Sequence, residues 1–410
     1  MTDQPLSWNP PLPDEDGASP ATTRTGSPRL EMIDVLRGLV IILMVLDHVR
    51  EYFSIDALHF EATDLTQTHP ALFATRWITH LCAPTFVFLA GVSAYLQREG
   101  GKSHGEVSRF LLTRGLWLIV LEVTLITFAF NFAHPFLFLQ VIWAIGFGMI
   151  LLAALIRLPP LLVLALGAAI VGGHGLLDGV QPKALGDWAP TWQLMMGRPG
   201  PLSWAPGLLI YAAIPWFGVM CLGYGLGRLF LLPEALRRWS LLGLALAMLG
   251  AFAVLRTLNV YGDPAPWAQQ KDWLFTAMSF LKVSKYPPSL DYVLVTLGVA
   301  LLLGLMLEHA KGWWHRVMLA FGRTPLFTYI VHIFLIHGLA LLLGLTRGIP
   351  AGDFTHYLDQ GTKRLADAHW GYSLPMVFFW WLLVVLILYP ISRGYMRLKQ
   401  DRRAPWMSYL

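Results

Sequence analysis

Asp34, Arg37, Asp47 and His48 fall within one apolar stretch of a 410-residue chain, RLEMIDVLRGLVIILMVLDHVREYF at 29–53. Ionisable residues in a membrane-length segment are costly and mark functional positions by default. Arg37 and His48 stand eleven residues apart. At 100° per residue this is about 1100°, within roughly 20° of three full turns, so on a helix both occupy one face, about 16 Å apart along the axis. Ile41 and Met44 lie between them on that face and form an apolar slot. An arginine fork pairs phosphate oxygens bidentately, and a histidine can take a proton near neutral pH. The pattern suits a ligand with phosphates at one end and a reactive centre an arm's length away. The plainer alternative makes Arg37 a snorkelling anchor paired with Asp34 at i, i+3, with Asp47 and His48 capping the far helix end.

Other apolar stretches carry polar residues of their own. Arg76 and His80, at i, i+4, share a face and either flank a reacting centre or serve as interface polar groups. Tyr329, His332 and His337 follow Arg323 and Pro325; they suit site lining and equally suit hydrogen bonds between helices. Arg114 and Glu122 fall on roughly one face, as a buried pair or as an anchor and a cavity group. Lys282 and Lys285 either attract an anionic acceptor or lipid headgroup or stand at a solvated interface. The glycines of GYGLGR, Gly223, Gly225 and Gly227, follow no strand, so close helix packing explains them better than phosphate binding. There is no GxSxG elbow, Walker A loop or HExxH pair, and the histidines lack ligand spacing, so no metal is expected.

The elements that hold these residues follow from composition. The chain is 56% hydrophobic and only 13% charged, with mean hydropathy +0.55, far more apolar than a soluble domain. Ten stretches reach or approach the roughly 20 apolar residues that cross a bilayer: 30–53, 72–97, 106–131, 136–156, 159–174, 206–229, 238–257, 289–308, 322–345 and 372–396. The sequence therefore predicts an all-α polytopic membrane protein, one bundle of about ten transmembrane helices. The stretch 159–174 is the weakest, bounded by Pro159 and Pro160 and ending at Gly172, Gly173 and His174. With the N-terminus inside, most of the 30 Lys and Arg fall on the cytoplasmic side, and both termini are cytoplasmic. The basic residues form short clusters between apolar stretches rather than one face, so nucleic acid is not an expected partner despite a net charge of +5. Cys82 and Cys221 lie in apolar runs and read as core residues.

Residues 1–28, rich in Pro, Asp, Ser, Thr and Gly, read as a disordered cytoplasmic tail without an apolar signal core. The membrane domain then spans 29–397 and a basic tail 398–410. Long connections at 175–205, 258–288 and 346–371, with the polar stretch 54–71, fall on the outer side. Long ordered loops are more often functional than short ones. Their Trp and Tyr residues suit carbohydrate stacking and the membrane interface alike.

Residues 29–53, with TRWITHLCAPTFVFLAGVSAYL at 75–96, resemble the catalytic domain of heparan-alpha-glucosaminide N-acetyltransferase, and GRTPLFTYIVHIFLIH at 322–337 carries a weaker echo. An arginine, ten residues and a histidine also resemble the first-helix signature of the acyltransferase-3 family, in the same wider group of membrane acyltransferases. The resemblance implies an acyl-CoA donor entering from the cytoplasm and an acceptor, commonly a sugar, on the other side. It also implies an essential histidine, which matches His48 by the acyltransferase-3 pattern and His59 by the heparan-enzyme pattern, where Asn stands at the His48 position. The heparan enzyme's glycine-rich turn after the first helix and its large luminal N-terminal region are missing, which puts its acceptor in doubt more than its donor.

The resulting expectation is an acetyltransferase of the bacterial inner membrane. It moves an acetyl group from cytoplasmic acetyl-CoA to a hydroxyl or amine of an outer-face glycan or other acceptor. His48 or His59 acts as general base with Asp47 beside it, directly or through an acetyl-histidine, and Arg37 with Met44 holds the donor. Arg76, His80, His332 and His337 line the site, and Arg76 or backbone donors stabilise the oxyanion. Membrane lipids are partners, and a homo-oligomer is compatible with this scheme. The rival is a transporter or channel for a small anion or lipid-linked glycan, with the same Arg and His residues along its pathway.

Overall fold

The computed structural model describes residues 28–133 and 135–402, so residues 1–27 and 403–410 of the expected tails lie outside the described residues. Helix α1 runs over Pro28–Phe53. The second apolar stretch divides into α2 (Pro70–Thr79) and α3 (Cys82–Glu99). Helix α4 (His104–Leu121) continues through a π-turn at Glu122–Ile126 into α5 (Thr127–Asn131). Strand β1 (Leu137–Leu139) precedes α6 (Val141–Leu155) and α7 (Pro160–Gly173). Helix α8 (Ala189–Met196), β2 (Gly200–Pro201) and β3 (Gly207–Leu209) lead to α9 (Ala213–Leu226) and α10 (Glu234–Leu258). Then come α11 (Trp273–Leu281), α12 (Leu290–Leu307), α13 (Trp313–Arg323) and α14 (Pro325–Thr346). Short α15 (Ala351–Phe354) and α16 (Thr362–Asp367) precede α17 (Leu374–Arg402), which runs past the boundary drawn at 397.

Each of the ten predicted stretches contains a helix, although 136–156 opens on β1 and 206–229 on β3, and the chain is an all-α polytopic membrane protein. Among the described residues, 8 helices, counting joined segments as one, are long and apolar enough to cross a membrane. The other two predicted stretches are α6, only 15 residues long, and α1, which Asp34, Arg37, Asp47, Arg50 and Glu51 crowd with charge. Even the weak stretch reaches 18 residues once the turn after α7 is added, over Pro160–Leu177.

Helix α1 carries so much charge because it faces protein rather than lipid. It packs against α2, α3, α12, α13, α14 and α17, and Val40, Ile41, Val45 and Val49 are buried. Around it, α3 packs on α9, α7 on α9, α4 on α6 and α10 on α12. Against α13 the approach is backbone to backbone. A Cβ on Gly38 would stand 1.9 Å from the Met318 carbonyl oxygen, and one on Gly322 would stand 1.7 Å from that of Asp34. The GYGLGR glycines are packing points as expected: a Cβ on Gly223 would meet the Phe88 carbonyl oxygen at 2.0 Å.

Two local features escaped the apolar pattern. The second stretch breaks at His80–Leu81 because Pro84 lacks an N–H and its ring crowds the carbonyl four residues back. That His80 carbonyl accepts a hydrogen bond from the Tyr292 hydroxyl instead, at 2.8 Å. Helix α13 occupies what hydropathy assigns to an inner loop. Val317, Met318 and Phe321 face inward while Trp313 and Trp314 remain exposed, and Pro325 ends it by pushing Thr324 out of helical geometry.

The long connections hold most of the remaining structure. Strands β1, β3 and β2 make a small sheet in that order, with β1 parallel to β3 and β2 antiparallel to it. Arg256 at the end of α10 donates to the carbonyls of Ala265, Ser279, Phe280 and Lys282, fixing the 258–288 loop.

Candidate functional site

Two cavities lie along the face of α1 that carries Arg37 and His48. The first, of about 440 Å³, is lined by Asp34, Arg37, Ile41 and Met44 of α1 and by residues of α3, α4, α6, α13, α14 and α17. Among the described residues that line it, Arg37, Arg114, Arg323 and Lys399 bring four cationic side chains against the one carboxylate of Asp34, and the other walls are mostly apolar. Because Asp34 from the start of α1 and Lys399 from the end of α17 share it, both ends of the described chain lie on one side of the bundle. Arg37 donates to the Ser93 hydroxyl and lies 3.5 Å from Asp34, which lies 3.4 Å from Arg323. The close α1–α13 contact at Gly38 and Gly322 is what brings Arg323 there.

The second cavity, of about 490 Å³, lies about one helical turn further along α1. It is lined by Asp47, His48, Arg50 and Glu51 of α1, by His59 and Glu61 from the turn that follows, and by Arg76. Phe138 of β1 and Ile210 and Tyr211 after β3 join its wall, as do Gln140, Lys285 and Tyr286. Asp47 ties the helices around it: its carboxylate accepts from Arg50, from Arg76 Nη1 at 2.9 and 3.0 Å, and from the Thr79 hydroxyl at 2.8 Å. Three donors leave Asp47 as an anchor of α1 to α2, and Arg76 is held as its partner. Lys285 is buried, with its ammonium 5.9 and 5.1 Å from the Tyr211 and Tyr286 rings. Burial pushes the Tyr286 phenol up, but Lys285 and Arg76 beside it outweigh burial and hold it below the usual phenol range. Arg50 Nη1 and Gln140 Nε2 are buried donors with no partner among the described residues.

His48 stands at the floor of this second cavity and is 8% exposed. Its Nδ1 lies 2.7 Å from Nε2 of His332, and Nδ1 of His332 lies 3.0 Å from the carbonyl oxygen of Thr328. A carbonyl only accepts, so His332 Nδ1 carries a proton, and in the neutral ring its Nε2 is the acceptor. His48 then donates through Nδ1 and keeps its lone pair on Nε2. That is the arrangement of an oriented general base: one nitrogen fixed by a partner, the other open to take a proton. Phe130 and Tyr329 pack edge-on to the His48 ring at 5.3 and 6.2 Å.

Of the four residues that helical counting puts on one face of α1, Arg37, Ile41 and Met44 line the first cavity and His48 lines the second. His59 lies beyond the helix end, exposed, and lines the second cavity too. His332 touches His48. The structure does not bring His80 or His337 to either cavity. His80 is buried in the break between α2 and α3, its ring 5.5 Å from Tyr292. His337 lies 2.8 and 3.0 Å from the carbonyl oxygens of Ala129 and Phe354 and stacks on Phe132 at 3.8 Å; its geometry is that of a tie between helix and outer loop. Glu122 does not pair with Arg114: at the π-turn it accepts from the Gln140 backbone N–H at 2.8 Å, serving the start of α6. Lys285, one of the two lysines that the sequence offers to an anionic acceptor, lines the second cavity, whereas Arg323, Lys399 and Gln140 are not singled out as site residues by sequence. Arg323 had a signal, since it opens the segment that carries Tyr329 and His332.

Among the described residues, no group of three or more His, Cys, Asp or Glu side chains is gathered as a metal site. The family model for heparan-alpha-glucosaminide N-acetyltransferase, catalytic, matches residues 29–261, from α1 to just past the end of α10. No curated protein sequence matches the chain.

Proposed function

From the premise that this chain belongs to the heparan-alpha-glucosaminide N-acetyltransferase catalytic family, and so to the transmembrane N-acetyltransferases, we propose that it carries an acetyl group from cytoplasmic acetyl-CoA to an amine or hydroxyl of a sugar at the outer face. The observation that carries this reading is that two unlike cavities open on successive turns of α1, the first reaching Met44 and the second starting at Asp47 and His48. The first suits the donor: Arg37, Arg323, Arg114 and Lys399 offer charge for its phosphates, and the Ile41–Met44 slot suits the thin apolar arm that ends in the thioester. The second suits a polar acceptor, with unpartnered donors on Arg50 and Gln140 and aromatic faces at Tyr211 and Tyr286.

His48 is the general base of this scheme, oriented by His332, and draws the proton from the acceptor as it attacks the thioester carbonyl. Asp47 and Arg76 are positioning residues that fix α1 against α2. His59, exposed and without a side-chain hydrogen bond among the described residues, lines the acceptor cavity as a binding group. The basic bias of the short connections supports an orientation with the donor cavity on the cytoplasmic side.

The test is transfer of labelled acetyl from acetyl-CoA to a glucosamine-terminated acceptor by the purified chain. His48→Ala is expected to lower kcat by about 10²–10⁴-fold while acetyl-CoA still raises thermal stability, and His59→Ala is expected to act mainly on acceptor KM. A His48→Ala enzyme with full activity would rule out this base. Acceptor flux into liposomes without acetyl-CoA and without acetylated product would favour transport instead.

A further inference from the structure

The hydroxyl of Tyr329 is buried and has no hydrogen-bond partner among the described residues. An unpartnered buried hydroxyl is costly, and a phenylalanine would supply the same ring, so the oxygen itself needs an explanation. Tyr329 lines the donor cavity together with Met44, away from the Asp34–Arg323 end. Its ring meets His48 and His332 edge-on, at 6.2 and 5.4 Å. It therefore stands in the wall between the two cavities, where a thioester carried along the Ile41–Met44 slot would end. Arg76, the oxyanion donor that sequence alone suggests, lines only the other cavity and holds both oxygens of Asp47.

We propose that Tyr329 is a catalytic residue whose O–H donates to the carbonyl oxygen of the donor's acetyl group and holds the negative charge that gathers there in the transition state. This rests on the acetyl-transfer reading above. The acceptor's oxygen or nitrogen lone pair forms the new bond to the acetyl carbon, and the C=O π pair moves onto the oxygen that Tyr329 holds. His48 Nε2 takes the acceptor's proton. Collapse re-forms the C=O bond and breaks the C–S bond, and the sulfur leaves with that proton as the CoA thiol. Tyr329 keeps its own proton throughout, and the absence of a competing partner leaves its hydroxyl free to meet the charge as it develops.

The experiment compares wild type with Tyr329→Phe, full chain, for transfer, for acetyl-CoA binding and for binding of S-ethyl-CoA, a thioether that lacks the carbonyl. The expected result is a fall in kcat of about 10²–10³-fold with KM for both substrates within about threefold, thermal stability kept, and loss of any preference for acetyl-CoA over S-ethyl-CoA. Unchanged kcat overturns the proposal, and so does a loss that appears only as weakened binding of both CoA compounds, which would make Tyr329 a packing group. A wild-type chain that transfers no acetyl would sink the acetyl-transfer reading and this proposal with it. Normal wild-type transfer with an unaffected variant would sink this proposal alone.

Discussion

The two cavities along α1 are built from different materials. Every described residue lining the first cavity, proposed for the donor, lies on a helix, whereas the second, proposed for the acceptor, draws on helices, the turn after α1, the small sheet and the 258–288 loop. Helices fix side chains at set spacings, so a helical cavity changes little without disturbing the bundle. Loops tolerate change while the scaffold holds. The contrast suits an enzyme with one fixed donor and an acceptor chosen by its outer loops. It also implies that substitutions at the two cavities should separate cleanly in kinetics.

The largest expected separation is at Arg323. Removing it with Arg323→Ala takes a charged hydrogen-bonding group from the donor cavity, worth about 1.5–3 kcal/mol, so KM for acetyl-CoA should rise by roughly tenfold to a hundredfold with acceptor KM unchanged. Steady-state kinetics varying each substrate in turn would check this, and equal effects on both would break the division. The mirror experiment is Lys285→Met, which keeps the bulk against Tyr211 and Tyr286 but removes one donor from the acceptor cavity. At about 1 kcal/mol for a single hydrogen bond, acceptor KM should rise by roughly fivefold while donor KM stays fixed. Smallest is Tyr292→Phe, which leaves the His80 carbonyl at the α2–α3 break without its partner. It should cost about 1 kcal/mol of stability, visible as a lower denaturation temperature, with both KM values as in wild type.

The same contrast explains how much could be read from sequence. Hydropathy located the eight helices long and apolar enough to span and the helices α1 and α6 beside them, and counting at 100° per residue put Arg37, Ile41, Met44 and His48 on one face because nothing interrupts α1 between them. By sequence, Arg323 and Lys399 are simply two of the basic residues that fall on the cytoplasmic side. Their part in the donor cavity depends on the Gly38–Gly322 contact, and tertiary contacts of that kind leave no periodic trace. The pairing of His48 with His332, 284 residues away, is likewise a product of the packing of α1 against α14. Lys285, Tyr286 and Gln140 lie in connections whose course depends on the Arg256 carbonyl clamp and on the β1–β3 pairing, and neither has a hydrophobic period. The amphipathic α13 was legible in principle from Val317, Met318 and Phe321 but is too short and too basic for a membrane-span search.

The central claim is that His48 joins a donor held on one side of the membrane to an acceptor held on the other. Sealed proteoliposomes of uniform orientation measure this directly, with labelled acetyl-CoA supplied on one side and a membrane-impermeant amino-sugar acceptor on the other. The account predicts acetylated acceptor only when acetyl-CoA is on the side of Arg37 and Lys399 and the acceptor is on the side of His59, and none with His48→Ala. Transfer that requires both substrates on the same side would contradict it.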